Sequence, residues 1–98
     1  MKSISQWQKA LKKGVDHRFP KSGWGAVERI ASIQRQLDDV KVALEVARGE
    51  RTSDDHAHQD PDHRIAALVA EIFILSEERG EDVEVELEKV LAWFERRN

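Results

Sequence analysis

The groups in this sequence that could do chemistry are carboxylates in unusual settings. In "HRIAALVAEIFIL", residues 63–75, every side chain from Ile65 to Leu75 is apolar except Glu71. Burying an ionised carboxylate without partners costs several kcal/mol, so an enclosed Glu71 must keep its proton or find a cation. One reading makes Glu71 a working group in a ligand site. The other gives it a narrow polar edge, because Arg64, Glu71 and Glu78 fall within about 40° of one another on a helical wheel. Leu68 and Leu75 share that edge, which makes it a poor solvent face. Asp38 and Asp39 form a second candidate. Mg²⁺ binds through one or two carboxylates together with substrate phosphates, and Asp39 could approach Glu71 if their helices pack; otherwise the pair is a solvated face. His56, His58 and His63 lie among Asp54, Asp55, Asp60 and Asp62, but zinc wants fixed ligands in a tetrahedral array, and this tract reads as polar coil. Nucleophilic catalysis has no cysteine to use, and no serine has neighbours in sequence that would activate it. Trp7, Phe19 and Trp24 flank "DHRFPKSGWG". Beside Arg18 and Lys21 they could stack a base and hold phosphate, or plug the end of a bundle.

These residues must be carried by helices. Ile4, Trp7 and Leu11 recur at helical spacing over about 4–13, Ser3 and Gln6 have capping-box spacing, and Gly14 is a natural stop. The stretch "VDHRFPKSG" should leave the helix, since Pro20 biases Phe19 toward an extended backbone. A long second helix is expected over about 24–48, ended by Gly49. Its core stripe is Ile30, Ile33, Leu37, Val40, Leu44 and Ala47, with Val42 and Val46 on the other side beside Glu28, Arg35 and Asp39. Residues 49–60 form a flexible polar loop. Asp60 and Pro61 start a third helix to about residue 79, which is apolar in nearly every direction and should lie at the centre of the bundle. Gly80 closes it. Asp82 caps a fourth helix carrying Val83, Leu87, Val90, Leu91 and Phe94. No segment alternates like a strand. The expectation is an all-α helical bundle, one domain over 1–98, with two long central helices and shorter N- and C-terminal ones.

Size and charge bound the remaining possibilities. A chain of 98 residues buries only about 60–65% of the surface its unfolded form exposes. A core that small, with a helix apolar all round, argues for completion by a homodimer or a dimer of dimers. Without cysteine, without the apolar run of a signal peptide, and without the roughly 20 apolar residues of a membrane span, a soluble cytoplasmic protein with no membrane partner is expected. A net charge of −3 and a pI of about 5.8 argue against a nucleic-acid binder.

The stretch "FPKSGWGAVERI" leading into a helix with "ALEVARGE", then an apolar helix, then "EERGEDVEVELEKVLAWFERR", resembles the MazG-like all-α nucleotide pyrophosphohydrolase superfamily over most of residues 19–95. The resemblance implies a dimeric fold and the splitting of nucleoside triphosphates into monophosphate and pyrophosphate, with Mg²⁺ (or Mn²⁺) held by acids on the two central helices. The superfamily places Glu-Glu-x-x-Glu on the first of these and Glu-x-x-Asp on the second. Aligned on Trp24 and Ala43-Leu44, the first motif falls on Arg35, Gln36 and Asp39; slid three residues onward it falls on Asp38, Asp39 and Val42. The second falls on Leu68 and Glu71, or, aligned on Gly80 and Asp82, on Arg64 and Ala67. By this resemblance Asp39 and Glu71 are the catalytic residues, Asp38, Asp39 and Glu71 the metal ligands, Lys21 and Arg35 contacts to the nucleotide's phosphates, and Trp24 a base or pocket contact. Because most of the acids are replaced, the alternative is a non-catalytic helical dimer that keeps the scaffold for nucleotide sensing or protein interaction. In that case Glu71→Leu should be neutral or stabilising, as replacing a buried charge often is.

Overall fold

The structure, a computed structural model, describes residues 1–96. It contains four α-helices, α1 (Ile4–Arg18), α2 (Ala26–Ala47), α3 (Pro61–Glu78) and α4 (Val83–Glu95), plus a 3-10 turn at His56–His58, and no strand among the described residues. The all-α expectation is met. The chain divides into two compact units. One is continuous, Gly23–Ile72; the other is discontinuous, Met1–Ser22 with the chain from Phe73 onward.

In the continuous unit α2 begins at Gly25, where the Glu28 carboxylate accepts the Gly25 N–H at 3.1 Å. Both long helices end in the same way. Gly49 (φ +75°) and Gly80 (φ +74°) take the left-handed backbone that only glycine adopts cheaply. Their N–H groups bond Val46 O and Glu77 O, and those of Glu50 and Glu81 reach back to Glu45 O and Ser76 O. This is a Schellman closure, which satisfies carbonyls left over at a helix end. The Asp60 carboxylate caps α3 by accepting the His63 N–H at 3.1 Å.

The discontinuous unit joins α1 to the α3–α4 turn. Ser3 and Gln6 form the capping box of α1, Gln6 N–H to Ser3 Oγ at 3.1 Å and Ser3 N–H to Gln6 Oε1 at 2.7 Å. The first turn of α1 has no acid of its own. Glu84 supplies one from α4, accepting the Ile4 N–H at 2.9 Å, where orphan donors and the helix dipole favour negative charge. Asp82 caps α4 through the Glu84 N–H at 3.0 Å and also accepts the Ser5 hydroxyl at 2.8 Å. That hydroxyl is the main reason the Asp82 carboxyl lies below its ordinary value. Gln8, 2% exposed, fills all its main bonding positions: its amide donates to Glu77 Oε1 and to Glu81 O, and its oxygen accepts the Val83 N–H at 2.9 Å.

Helix α1 runs past Gly14, the expected stop. Gly14 does not take a positive φ; Lys12 bridges the site by bonding Asp16 one turn later at 2.8 Å. The bond to Asp16, with a further contribution from Glu78, holds the Lys12 ammonium above its ordinary value against partial desolvation. The helix ends at Phe19, whose N–H still reaches Val15 O at 2.9 Å before Pro20 breaks the pattern. Part of "VDHRFPKSG" is therefore helical.

Few apolar side chains are covered. The buried ones are Val40, Ala43 and Ile74. On α2 the side chains most deeply enclosed include Arg29 and Ser32, while Ile30, Leu37 and Leu44 of the expected core stripe are exposed, Leu37 at 55%. Ile65, Val69 and Ile72 of α3, and Leu87, Val90, Leu91 and Phe94 of α4, are exposed as well.

Candidate functional site

Glu71 lies in the part of α3 that belongs to the continuous unit, facing α2. Its Oε2 accepts the Arg29 Nη1–H at 3.0 Å, and its Oε1 accepts the Ser32 hydroxyl at 2.8 Å. Arg29 and Ser32 are both 4% exposed, and the Glu71 side chain is only 15% exposed. The Arg29 guanidinium also sits 4.9 Å from the centroid of the Trp24 ring, within the range of a cation–π contact. The oddity of a carboxylate in an apolar run therefore has a local answer. Its cation comes from α2, not from Arg64 one edge along α3, and a charge-assisted bond of this kind is about twice as strong as a neutral one.

The reason these residues meet is the period of α2. Arg29, Ser32, Gln36, Val40 and Ala43 advance by three and four residues and so share one face. Sequence reasoning followed the apolar stripe one step around the helix and passed over Arg29 and Ser32. The visible signal was a polar stripe at helical spacing, ending in small and β-branched residues.

Asp39 is occupied as well. Its Oδ1 is 3.2 Å from His58 Nε2, and His58 Nδ1 is 2.7 Å from Ser53 Oγ. A neutral imidazole carries one donor and one acceptor nitrogen; with a carboxylate at Nε2, the hydrogen belongs there and Nδ1 accepts the serine hydroxyl. The turn that presents His58 is held by Asp55, whose carboxylate accepts the Ala57 N–H at 2.9 Å, and by Gln59, which donates to Ser53 O at 2.6 Å and Asp55 O at 3.0 Å. Of the three clustered histidines, His58 turns inward while His56 and His63 are exposed.

Asp38 and Arg35 are exposed on α2, and Trp24 is 42% exposed with its ring against Arg29. Lys21 is exposed and belongs to the discontinuous unit. Among the described residues, no three histidine, aspartate or glutamate side chains gather as a group that could hold a metal ion. No helix among them is long and apolar enough to cross a membrane. No protein-family model, curated protein or solved structure matches the chain.

Proposed function

We propose that this chain is a helical scaffold that pairs with a second copy of itself, and that Glu71 serves the scaffold as a structural anion. The observation that carries this reading is the occupancy of both Glu71 oxygens, one by the guanidinium of Arg29 and one by the hydroxyl of Ser32. A carboxylate that is to hold Mg²⁺ against a triphosphate needs further carboxylates beside it. Here the neighbour is a cation, which repels a metal ion. The nucleotide pyrophosphohydrolase reading, with Asp38, Asp39 and Glu71 on Mg²⁺ or Mn²⁺ and Lys21, Trp24 and Arg35 on the nucleotide, asks Glu71 to give up Arg29 first.

Self-pairing is supported by the exposed stripe of α2. Exposed Ile30, Leu37 and Leu44 recur every seven residues, as one position of the heptad of a two-helix seam does. Such a stripe is complementary to itself about a two-fold axis.

Two measurements test the proposal. Light scattering during gel filtration should give twice the 11.3 kDa chain mass, and Leu37→Asp should return the protein to a monomer; a wild-type monomer at micromolar concentration overturns the pairing. A panel of (d)NTPs with Mg²⁺ or Mn²⁺ should release no pyrophosphate. Release that disappears in Glu71→Gln establishes the hydrolase instead.

A further inference from the structure

The Ser53–His58–Asp39 chain lies outside the Glu71 ion pair and plays no part in the scaffold reading. We propose that Ser53 is an activated nucleophile, with His58 as its general base and Asp39 as the positioning residue, able to take an acyl group from a neutral or cationic ester. The three residues lie within the continuous unit. Ser53 Oγ is 2.7 Å from His58 Nδ1, and His58 Nε2 is 3.2 Å from Asp39 Oδ1. A nucleophile within hydrogen-bond reach of a base, with the base oriented by a third group, is the arrangement that turns a weak hydroxyl into a reactive one. The imidazole is anchored at both nitrogens and its side chain is 15% exposed, so its orientation is fixed. Ser53 is half-buried and reachable. Exposed Asp54 and Asp55 follow it in the chain, and their negative charge disfavours carboxylate- or phosphate-bearing esters.

The step balances without a metal or a redox partner. Ser53 Oγ bonds to the ester carbonyl carbon while its proton passes to His58 Nδ1. The bond from that carbon to the alkoxy oxygen breaks, and the leaving oxygen takes the proton from the imidazolium and departs as an alcohol. Water then attacks the acyl-serine with His58 again as base. The acyl group leaves as a carboxylic acid and the proton returns to Ser53, so ester and water become acid and alcohol.

The test is site-specific mass spectrometry of the full chain after exposure to p-nitrophenyl acetate, and separately to a neutral fluorophosphonate. Ser22 and Ser3, both exposed, are internal controls. Because general-base assistance contributes about 10²-fold or more, Ser53 should label about 10² times faster than either control. Labelling at 53 should vanish in Ser53→Ala and fall to the control rate in His58→Ala. Added imidazole should restore it in the latter, which a purely structural histidine does not allow. Asp39→Asn should keep the label at Ser53 but slow it. If Ser53 in the wild-type protein labels no faster than Ser22, the proposal is overturned without recourse to any variant. Equal rates in wild type and a helical His58→Ala protein overturn it as well, leaving the serine and histidine as fasteners of the loop.

Discussion

Glu71→Leu removes the carboxylate that accepts the Arg29 Nη1–H and leaves the 4% exposed guanidinium side chain its contact with the Trp24 ring. On the non-catalytic alternative the sequence suggests that this change is neutral or stabilising, because replacing a buried charge by an apolar group often is. That rule applies when the whole pair is replaced. Removing one partner of a buried pair costs up to about 3–5 kcal/mol where the charge left behind loses all compensation; Arg29 keeps the Trp24 ring, so the loss is at least that of its charge-assisted hydrogen bond, about 1.5–3 kcal/mol. The Ser32 hydroxyl loses its acceptor too. For a domain of this size, 1 kcal/mol moves the melting temperature by about 4–8 °C, so Glu71→Leu should lower it by at least about 6 °C. The measurement is thermal unfolding by circular dichroism at one fixed protein concentration, since self-association makes the midpoint concentration-dependent. Glu71→Gln, which keeps an acceptor for Ser32, should lose less. Arg29→Met with Glu71→Leu should recover much of the loss, giving a coupling energy outside the usual additivity error of about 0.3–0.5 kcal/mol. A Glu71→Leu protein as stable as the wild type would falsify the assignment of Glu71 as the counter-charge of Arg29.

Other consequences are equally direct. Gly14 and Gly80 should respond to alanine with opposite signs: Gly80→Ala forces a side chain onto φ +74° and costs about 1–2 kcal/mol, whereas Gly14→Ala, in open space within α1, gains up to about 1 kcal/mol; denaturant midpoints decide. Gln8→Leu leaves the part-buried Val83 N–H without its acceptor and should cost about 1–3 kcal/mol in the same assay. The Asp82 carboxyl lies below its ordinary value of 3.8, mainly through the Ser5 hydroxyl. Its charged form therefore stabilises the fold above that pH, and the benefit is lost as pH falls through the lower folded value. The wild-type advantage in melting temperature over Asp82→Asn should be full at pH 7 and fade below about pH 3.8; an advantage that grows on acidification contradicts the assignment.

The helix starts and stops were legible where one residue type has one physical use. Ser3, Asp60 and Asp82 cap because a short side-chain acceptor satisfies an orphan N–H, and Gly49 and Gly80 terminate because only glycine takes the left-handed turn cheaply. Gly14 was misread because glycine in a helix is merely costly, and the Lys12–Asp16 pair, together with the capping box, offsets that cost. The covered face of α2 was misread for a different reason. Hydrophobic periodicity identifies the stripe that must leave water, but not which surface removes it, and here the chain places Arg29 and Ser32 inside and leaves Leu37 outside. The pairings across the two polar sites are not written in local sequence. Arg29 and Glu71 lie 42 residues apart, and Asp39 and His58 lie 19 apart. Each was visible as a residue type, but the pairing exists only once the chain has folded.

The division of the chain also bears on the order in which it folds. The internal contacts of the Gly23–Ile72 unit lie within one uninterrupted stretch, whereas Gln8 must find Glu77 across 69 residues and Ile4 must find Glu84 across 80. Closing a long loop is entropically costly but only weakly length-dependent, about 0.6 kcal/mol per doubling, and local contacts form faster than distant ones. During synthesis Arg29, Ser32 and Glu71 are all present while the partners of α1 are still missing. Helix α1 has its Gln8 side chain and its Ile4 N–H satisfied only by residues made 69 to 80 positions after their own.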